Sequence, residues 1–202
     1  EAWRGGRYEL EVLYRQERVY HALGNDPEAV LTLGRILLRF PERAEAASNE
    51  ARAQELLARI YATGGEGQYP LSAWMALHLR LLPHFRYTEG FTAQIETLGD
   101  YVLKLGSTDL AAKEYRRAVR ILQEKQEEQG TSREADIFRL HLKLAQAQMR
   151  GGQFAEARLT LDQMDPSVAP ELMQAHQTLL AEALSKLGDK PALLKASVNT
   201  PT

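Results

Sequence analysis

The sequence has no cysteine among its 202 residues. It therefore cannot form disulfide bonds, thiolate metal sites or cysteine nucleophiles. It also lacks an excess of charge of one sign, because 25 lysines and arginines stand against 27 aspartates and glutamates, for a net charge of −2. This balance argues against a domain held to nucleic acid by bulk charge, and we expect no nucleic-acid partner.

Long apolar runs are missing as well. A membrane-spanning helix needs about 20 consecutive apolar residues, and no stretch approaches that length, so no membrane span is expected. The first ten residues, EAWRGGRYEL, lack the apolar centre of a signal peptide. Because the chain can be a fragment of a longer protein, this absence does not decide the compartment. Arginine outnumbers lysine 18 to 7, which fits a bacterial source of high GC content, and bacterial cytoplasm and periplasm both stay open.

Sustained alternation of apolar and polar residues, the pattern of a half-buried strand, is absent. A period of 3.6 residues, the pattern of an amphipathic helix, runs nearly through the chain instead. With 44% hydrophobic residues the sequence can also bury a core. We therefore predict an all-α protein.

A motif of apolar helix, glycine-containing turn and second helix recurs along the chain. The turn glycines are Gly24, Gly65, Gly106, Gly152 and Gly188. Their spacing, near 40 residues, is in the range that indicates stacked helical hairpins. We predict a single domain over residues 1–202, with repeats at about 7–41, 48–83, 90–130, 131–166 and 169–198.

Small residues recur at fixed positions in this motif. A glycine or alanine precedes four of the turns by the same interval, at Ala58, Gly99, Ala145 and Ala181. Glycine inside a helix costs about 1 kcal/mol relative to alanine, so Gly99 indicates that the missing side chain is needed for close packing. The residues predicted to lie where neighbouring helices touch are Gly99, Gly106, Ala111, Ala145, Gly152, Ala157 and Ala181.

The stretch LGDYVLKLGSTDLAAKEYRRAV, residues 98–119, resembles the tetratricopeptide repeat family. Residues 144–166 and 24–41 resemble it too. The resemblance implies a right-handed α-solenoid of about five stacked antiparallel helical hairpins that binds other proteins. Two features depart from the family: Glu17 replaces the small residue of the first repeat, and most periods exceed the usual 34 residues. An irregular bundle of antiparallel helices is the alternative fold.

A search for catalytic chemistry finds no motif. The five histidines are scattered, without the pair one helical turn apart that a helical zinc site requires. The glycine cluster GGEG at 64–67 is not followed by the lysine and serine or threonine of a phosphate-binding loop. We therefore expect no enzyme activity, no cofactor and no metal site.

Basic residues recur on the first helices of the repeats. In the family, one face of each first helix lines a concave groove, and Asp100 and Gln146 fall on this face beside the cations. We predict a basic groove that binds an acidic or carboxylate-bearing peptide, with an ordinary solvated face as the alternative. The predicted groove cations are Arg15, Arg18, Arg52, Arg59, Lys104, Arg139, Lys143 and Arg150.

The stretch from Tyr69 to Phe85 is apolar nearly all round if it is helical. Trp74, Leu77 and Leu81 share one side and are candidates for a dimer or partner interface. The alternative is that neighbouring helices bury both sides.

The sequence is thus interpreted as a non-catalytic scaffold or adaptor for an unidentified protein or peptide. A sensory or regulatory segment of a larger protein is one alternative. A self-assembling component of a bacterial envelope complex is another, because residues 39–61 are similar to helical repeats of bacterial envelope-assembly lipoproteins. The sequence does not decide whether the chain forms homo-oligomers.

Overall fold

The computed structural model describes residues 6–42, 45–189 and 191. This part of the chain is made of α-helices and two short 3₁₀ turns, and it contains no strand. The all-α prediction is confirmed. The helices are α1 (Gly6–Ala22), α2 (Asp26–Arg39), α3 (Ala46–Gly65), α4 (Leu71–Phe85), α5 (Phe91–Lys104), α6 (Thr108–Gln129), α7 (Glu134–Arg150), α8 (Phe154–Asp162) and α9 (Met173–Leu187).

The chain divides into two compact units, Glu1–Gln94 and Ile95–Thr202, called unit 1 and unit 2 below. Unit 1 holds α1 to α4, and unit 2 holds α6 to α9 with most of α5. The single domain and its repeat boundaries stay predictions. Of the fifth predicted repeat, residue 190 and residues 192–198 lie outside the described residues. No helix of the described chain is both long and apolar enough to cross a membrane.

Glycines with positive φ connect the helices of the hairpins. Gly24, Gly106 and Gly152 have φ of 67°, 84° and 75°, a region that side chains other than glycine rarely adopt. A Cβ added to any of the three would meet nothing within 4 Å. Gly106 and Gly152 therefore serve the backbone of the turn and not the close helix contact that was predicted for them.

The second turn also differs from its prediction. Gly65 is the last residue of α3, and the glycine with positive φ is Gly67, at 79°. The four-residue cluster at 64–67 contains both, so the glycine count alone does not tell which one adopts the left-handed conformation. The result is a longer turn before α4.

Small residues lie at the helix contacts of unit 2. Ala111, Ala145 and Ala157 are fully buried. Ala145 packs with Leu142 of its own helix and Leu161 of α8. In α9 the buried small residue is not the predicted Ala181, which is half-buried, but Ala183, which packs with Met149 and Ala157.

Aromatic side chains form the centre of unit 1. Tyr61 and Trp74 are fully buried and meet edge to face, with ring centroids 5.7 Å apart. The Tyr61 hydroxyl lies 2.6 Å from Nδ1 of the buried His78. A Cβ on Gly64 would lie 2.5 Å from the Trp74 ring, so this glycine is needed for α3 and α4 to pack.

The burial of α4 corrects the proposed interface. Trp74 and Leu81 are 0% exposed and Leu77 is 9% exposed within unit 1. None of the three side chains is available to a partner in this fold. The apolar surface on both sides of α4 belongs to the core, which agrees with the alternative prediction that neighbouring helices bury both sides.

Candidate interaction face

The predicted groove cations all lie on the first helix of a hairpin. They are Arg15 and Arg18 on α1, Arg52 and Arg59 on α3, Lys104 on α5, and Arg139, Lys143 and Arg150 on α7. The two on α1, the one on α5 and the last one on α7 are exposed and make no ion pair within the described part of the chain. The remaining four pair with carboxylates of neighbouring helices.

In unit 2 the carboxylates of α5 hold the cations of α7. Lys143 Nζ lies 2.7 Å from Glu96 Oε1 and 2.6 Å from Asp100 Oδ2. Arg139 also pairs with Glu96 and reaches Asp136 of its own helix at 3.2 Å. Asp100 further accepts a hydrogen bond of 2.7 Å from the Tyr115 hydroxyl. The positive charge predicted on this part of the face is therefore largely neutralised by the protein itself.

These contacts shift the ionisation of the cluster. Burial alone would raise the pKa of Glu96, but hydrogen bonds from Arg139 and Lys143 outweigh it and lower the pKa. Burial alone would lower the pKa of Lys143, and its bonds to Asp100 and Glu96 raise it instead. Burial and the bond to Asp100 raise the pKa of Tyr115. At neutral pH the cluster is thus a set of full ion pairs beside a neutral phenol.

In unit 1 the pairs link α3 to α1 and α2. Arg52 Nη2 lies 2.9 Å from Oε1 of Glu17, which is only 1% exposed. Glu17 is the residue that replaces the small side chain of the other repeats, and the pair with Arg52 explains how a carboxylate is accepted there. Arg59 reaches Asp26 of α2 at 3.1 Å and Glu55 of its own helix at 3.2 Å.

A cavity of about 500 Å³ opens on this α1–α3 face of unit 1. Its wall contains two guanidinium groups, Arg52 and Arg59, one imidazole, His21, and one carboxylate, Glu55. The side chains of Arg52 and Arg59 are 40% and 49% exposed, so both side chains can be reached by a ligand. Of the predicted groove cations, the structure brings these two together at one cavity.

The described residues contain no group of three or more histidine, aspartate or glutamate side chains placed to hold a metal ion. The interactions seen on the face are ion pairs and hydrogen bonds.

The carboxylate partners were the part of the site that sequence reasoning missed. Glu96 stands 43 residues before Arg139, and Asp100 stands 43 residues before Lys143. Both separations are close to one repeat, so opposite charges at repeat spacing on successive first helices were the available signal. Glu17 and Arg52, on the first two hairpins, follow the same logic.

No family model and no curated protein matches the sequence. Among solved structures, a putative kinesin light chain of Podosopora anserina with nearly identical TPR-like repeats is 20% identical, over 97% of this chain and 93% of that chain, with a TM-score of 0.49. A single-substitution form of that kinesin light chain is 22% identical, over 93% and 91%, with the same TM-score.

The fold is that of TPR-like helical repeats. This assignment rests on the helical hairpins, on the positive φ of Gly24, Gly106 and Gly152, and on the buried alanines that follow these turns, which are Ala29, Ala111 and Ala157.

Proposed function

We propose that the chain is a non-catalytic protein-interaction scaffold that binds an acidic peptide segment of a partner on the α1–α3 face of unit 1. The observation that carries this proposal is the cavity lined by His21, Arg52 and Arg59. Its volume, about 500 Å³, is in the range of cavities that enclose a small ligand or a few side chains.

Arginine is suited to this role. A guanidinium group has five N–H donors in a planar fork and can bind a carboxylate with two of them. Arg59 uses Nη1 on Asp26 and Nη2 on Glu55, whose side chain is 73% exposed. Exposed pairs of this kind contribute about 0–1 kcal/mol, so a ligand carboxylate can displace Glu55 from Arg59 with little loss of stability.

Unit 2 is a poorer place for the same ligand. Lys143 and Arg139 already face Glu96, Asp100 and Asp136 at ion-pair distance. Both sets of cations face three carboxylates, but Lys143 is only 27% exposed, whereas Arg52 and Arg59 are 40% and 49% exposed, so Lys143 is less accessible to a ligand. We therefore propose the acidic segment on unit 1, and we propose that the pairs of unit 2 join neighbouring helices.

The experiment uses a fluorescein-labelled octaglutamate peptide as the probe and measures fluorescence anisotropy against the full chain. We expect binding that weakens with added salt, because exposed charges are screened over about 8 Å at physiological ionic strength. His21→Ala combined with Arg59→Ala should weaken it further. An octalysine peptide should not bind.

The matched control is Arg35→Ala, which removes an exposed arginine from α2 in the same unit but away from the cavity wall. It should leave the affinity for octaglutamate unchanged. Equal losses for Arg35→Ala and for the cavity variant would reduce the face to an ordinary solvated surface, and so would a wild-type chain that does not bind the probe.

A further inference from the structure

The outer face of α1 is formed by Val12, Arg15, Gln16 and Val19, and it is open. Val12 and Val19 are 52% and 57% exposed. The spacing of Val12, Gln16 and Val19 places them in one row along the helix. A shallow cavity of about 290 Å³ lies on this row, with Tyr20 completing its wall.

The same row is covered in α7. Leu140, Leu144 and Ala147 stand at the same distances before the turn glycine Gly152 as Val12, Gln16 and Val19 stand before Gly24. All three residues of α7 are buried, at 1%, 5% and 0% exposure.

The helices that contact α7 limit what can cover this row. The opposite side of α7, which carries Leu142, Ala145 and Met149, packs with residues of α8 and α9. The row of Leu140 and Leu144 therefore lies on the side of α7 away from α8 and α9, and the remaining helices that contact α7 are α6 and α5. By repeat register, the outer face of α1 corresponds to a surface that takes a helix.

The charges follow the same register. Arg15 occupies the position of Lys143, counted from the two turn glycines. Lys143 is paired with Glu96 and Asp100 of α5, whereas Arg15 is exposed and makes no ion pair with any described residue. The outer face of α1 thus has the cation of this contact without its carboxylates.

We propose that the outer face of α1 binds an amphipathic helix of a partner protein. The partner helix places small and aliphatic side chains over Val12 and Val19, and it provides carboxylates for Arg15. Single exposed apolar residues are ordinary on a protein surface. Here the apolar row, the cavity and the unpaired cation coincide at positions whose counterparts are buried and paired. This proposal does not rest on the acidic-peptide cavity, which lies on the side of α1 that faces α3.

The probe is a synthetic peptide of residues 91–130, which contains α5, α6 and the carboxylates of Glu96 and Asp100. We expect it to bind the full wild-type chain in a fluorescence anisotropy titration. Val12→Asp combined with Val19→Asp should abolish binding. Because both side chains are more than half exposed, the circular dichroism spectrum and melting temperature should stay close to those of the wild type. The matched control is Leu159→Asp, which changes an α8 side chain that is 60% exposed and should leave binding intact.

The ion pair proposed for Arg15 is tested by exchanging the charges of the chain and the peptide. Arg15→Glu should weaken binding about tenfold, the scale of coupling between directly contacting groups. A peptide that carries Glu96→Lys and Asp100→Lys should bind the Arg15→Glu chain better than it binds the wild type. Failure of the wild-type chain to bind the peptide would overturn the proposal, and so would undiminished binding by the double aspartate variant. Sedimentation that shows a dimer dissociated by Val12→Asp and Val19→Asp would assign the face to a second copy of the chain instead.

Discussion

Gly99 of α5 lies against the ring of Tyr115 of α6, so close that a Cβ on Gly99 would stand 2.7 Å from Tyr115 Cε1. The ring cannot move away freely, because it is fully buried and its hydroxyl donates a hydrogen bond to Asp100. An internal glycine costs the helix about 1 kcal/mol relative to alanine, and this contact offsets the loss.

Replacing Gly99 with leucine should lower the free energy of unfolding. Four side-chain carbons would have to fit where one already collides with Tyr115, and overpacking of this kind costs about 1–3 kcal/mol. Urea unfolding followed by circular dichroism measures the loss. The control is Ala93→Leu, on the same helix but at an exposed position, which should change the stability little. A wild-type midpoint for Gly99→Leu would show that α5 and α6 are not in close contact at this point.

The hairpins could be predicted from the sequence because helix periodicity and turn glycines are both local signals. The role of each glycine was harder to predict. Gly99 and Gly106 cannot be told apart in the sequence. A Cβ on Gly99 would clash with the Tyr115 ring, whereas Gly106 has φ of 84° and a Cβ there would meet nothing within 4 Å. Only the backbone φ angle and the position of the neighbouring helix distinguish a glycine needed for close helix packing from one needed for a left-handed turn.

The candidate site was predictable only in part. The face of the first helices could be mapped by register, but a register does not show which cation has a partner. Lys143 and Arg15 fall at the same place in their repeats, and one is paired with two carboxylates while the other is exposed. The role of Trp74 depended on whether α3 covers it, which the apolar pattern of α4 alone could not decide.

Removing Arg52 should destabilise unit 1 through Glu17. The carboxylate is 1% exposed, and without its partner it would remain buried and uncompensated. Breaking a fully buried pair costs about 3–5 kcal/mol. Since the Arg52 side chain is 40% exposed, water can take part of its place, and we expect about 2 kcal/mol for Arg52→Met in urea unfolding.

The double variant tests the cause of that loss. Glu17→Ala restores the small residue that Ala145 provides in α7, so Arg52→Met should cost much less when it is combined with Glu17→Ala. A double-mutant cycle measures this difference. Additive losses would mean that the arginine acts through its packing and not through its charge.

Trp74→Arg should prevent unit 1 from folding. The side chain is 0% exposed, and a buried guanidinium group without a counter-ion is strongly unfavourable. We expect loss of helical circular dichroism, whereas an interface residue would leave the helices intact and dissociate an assembly. Trp74→Phe is the control, because it keeps an aromatic ring in the site. A folded, helical Trp74→Arg chain would contradict the burial of α4.

Acid should weaken the contact between α5 and α7 through Glu96. Its pKa in the folded chain is lowered, because the hydrogen bonds from Arg139 and Lys143 outweigh burial, while in the unfolded chain it titrates near the ordinary value of about 4.3. As the pH falls through that value, the unfolded state takes up the proton first. The stabilisation from Glu96 is therefore complete above the unfolded pKa and is lost as the pH falls through the folded one.

Glu96→Gln should remove this contribution to the pH dependence of stability. The difference in unfolding free energy between wild type and variant should be constant at neutral pH and should shrink below about pH 4.3. Urea unfolding at a series of pH values, under constant ionic strength, measures it. Lys143→Met removes one of the two cations and keeps Arg139, so its curve of unfolding free energy against pH should lie between those of the wild type and Glu96→Gln. If wild type and Glu96→Gln ran parallel from neutral to acid pH, the ion pairs of Glu96 would not contribute to the folded state, because only a carboxylate stabilised in its charged form makes the two curves converge.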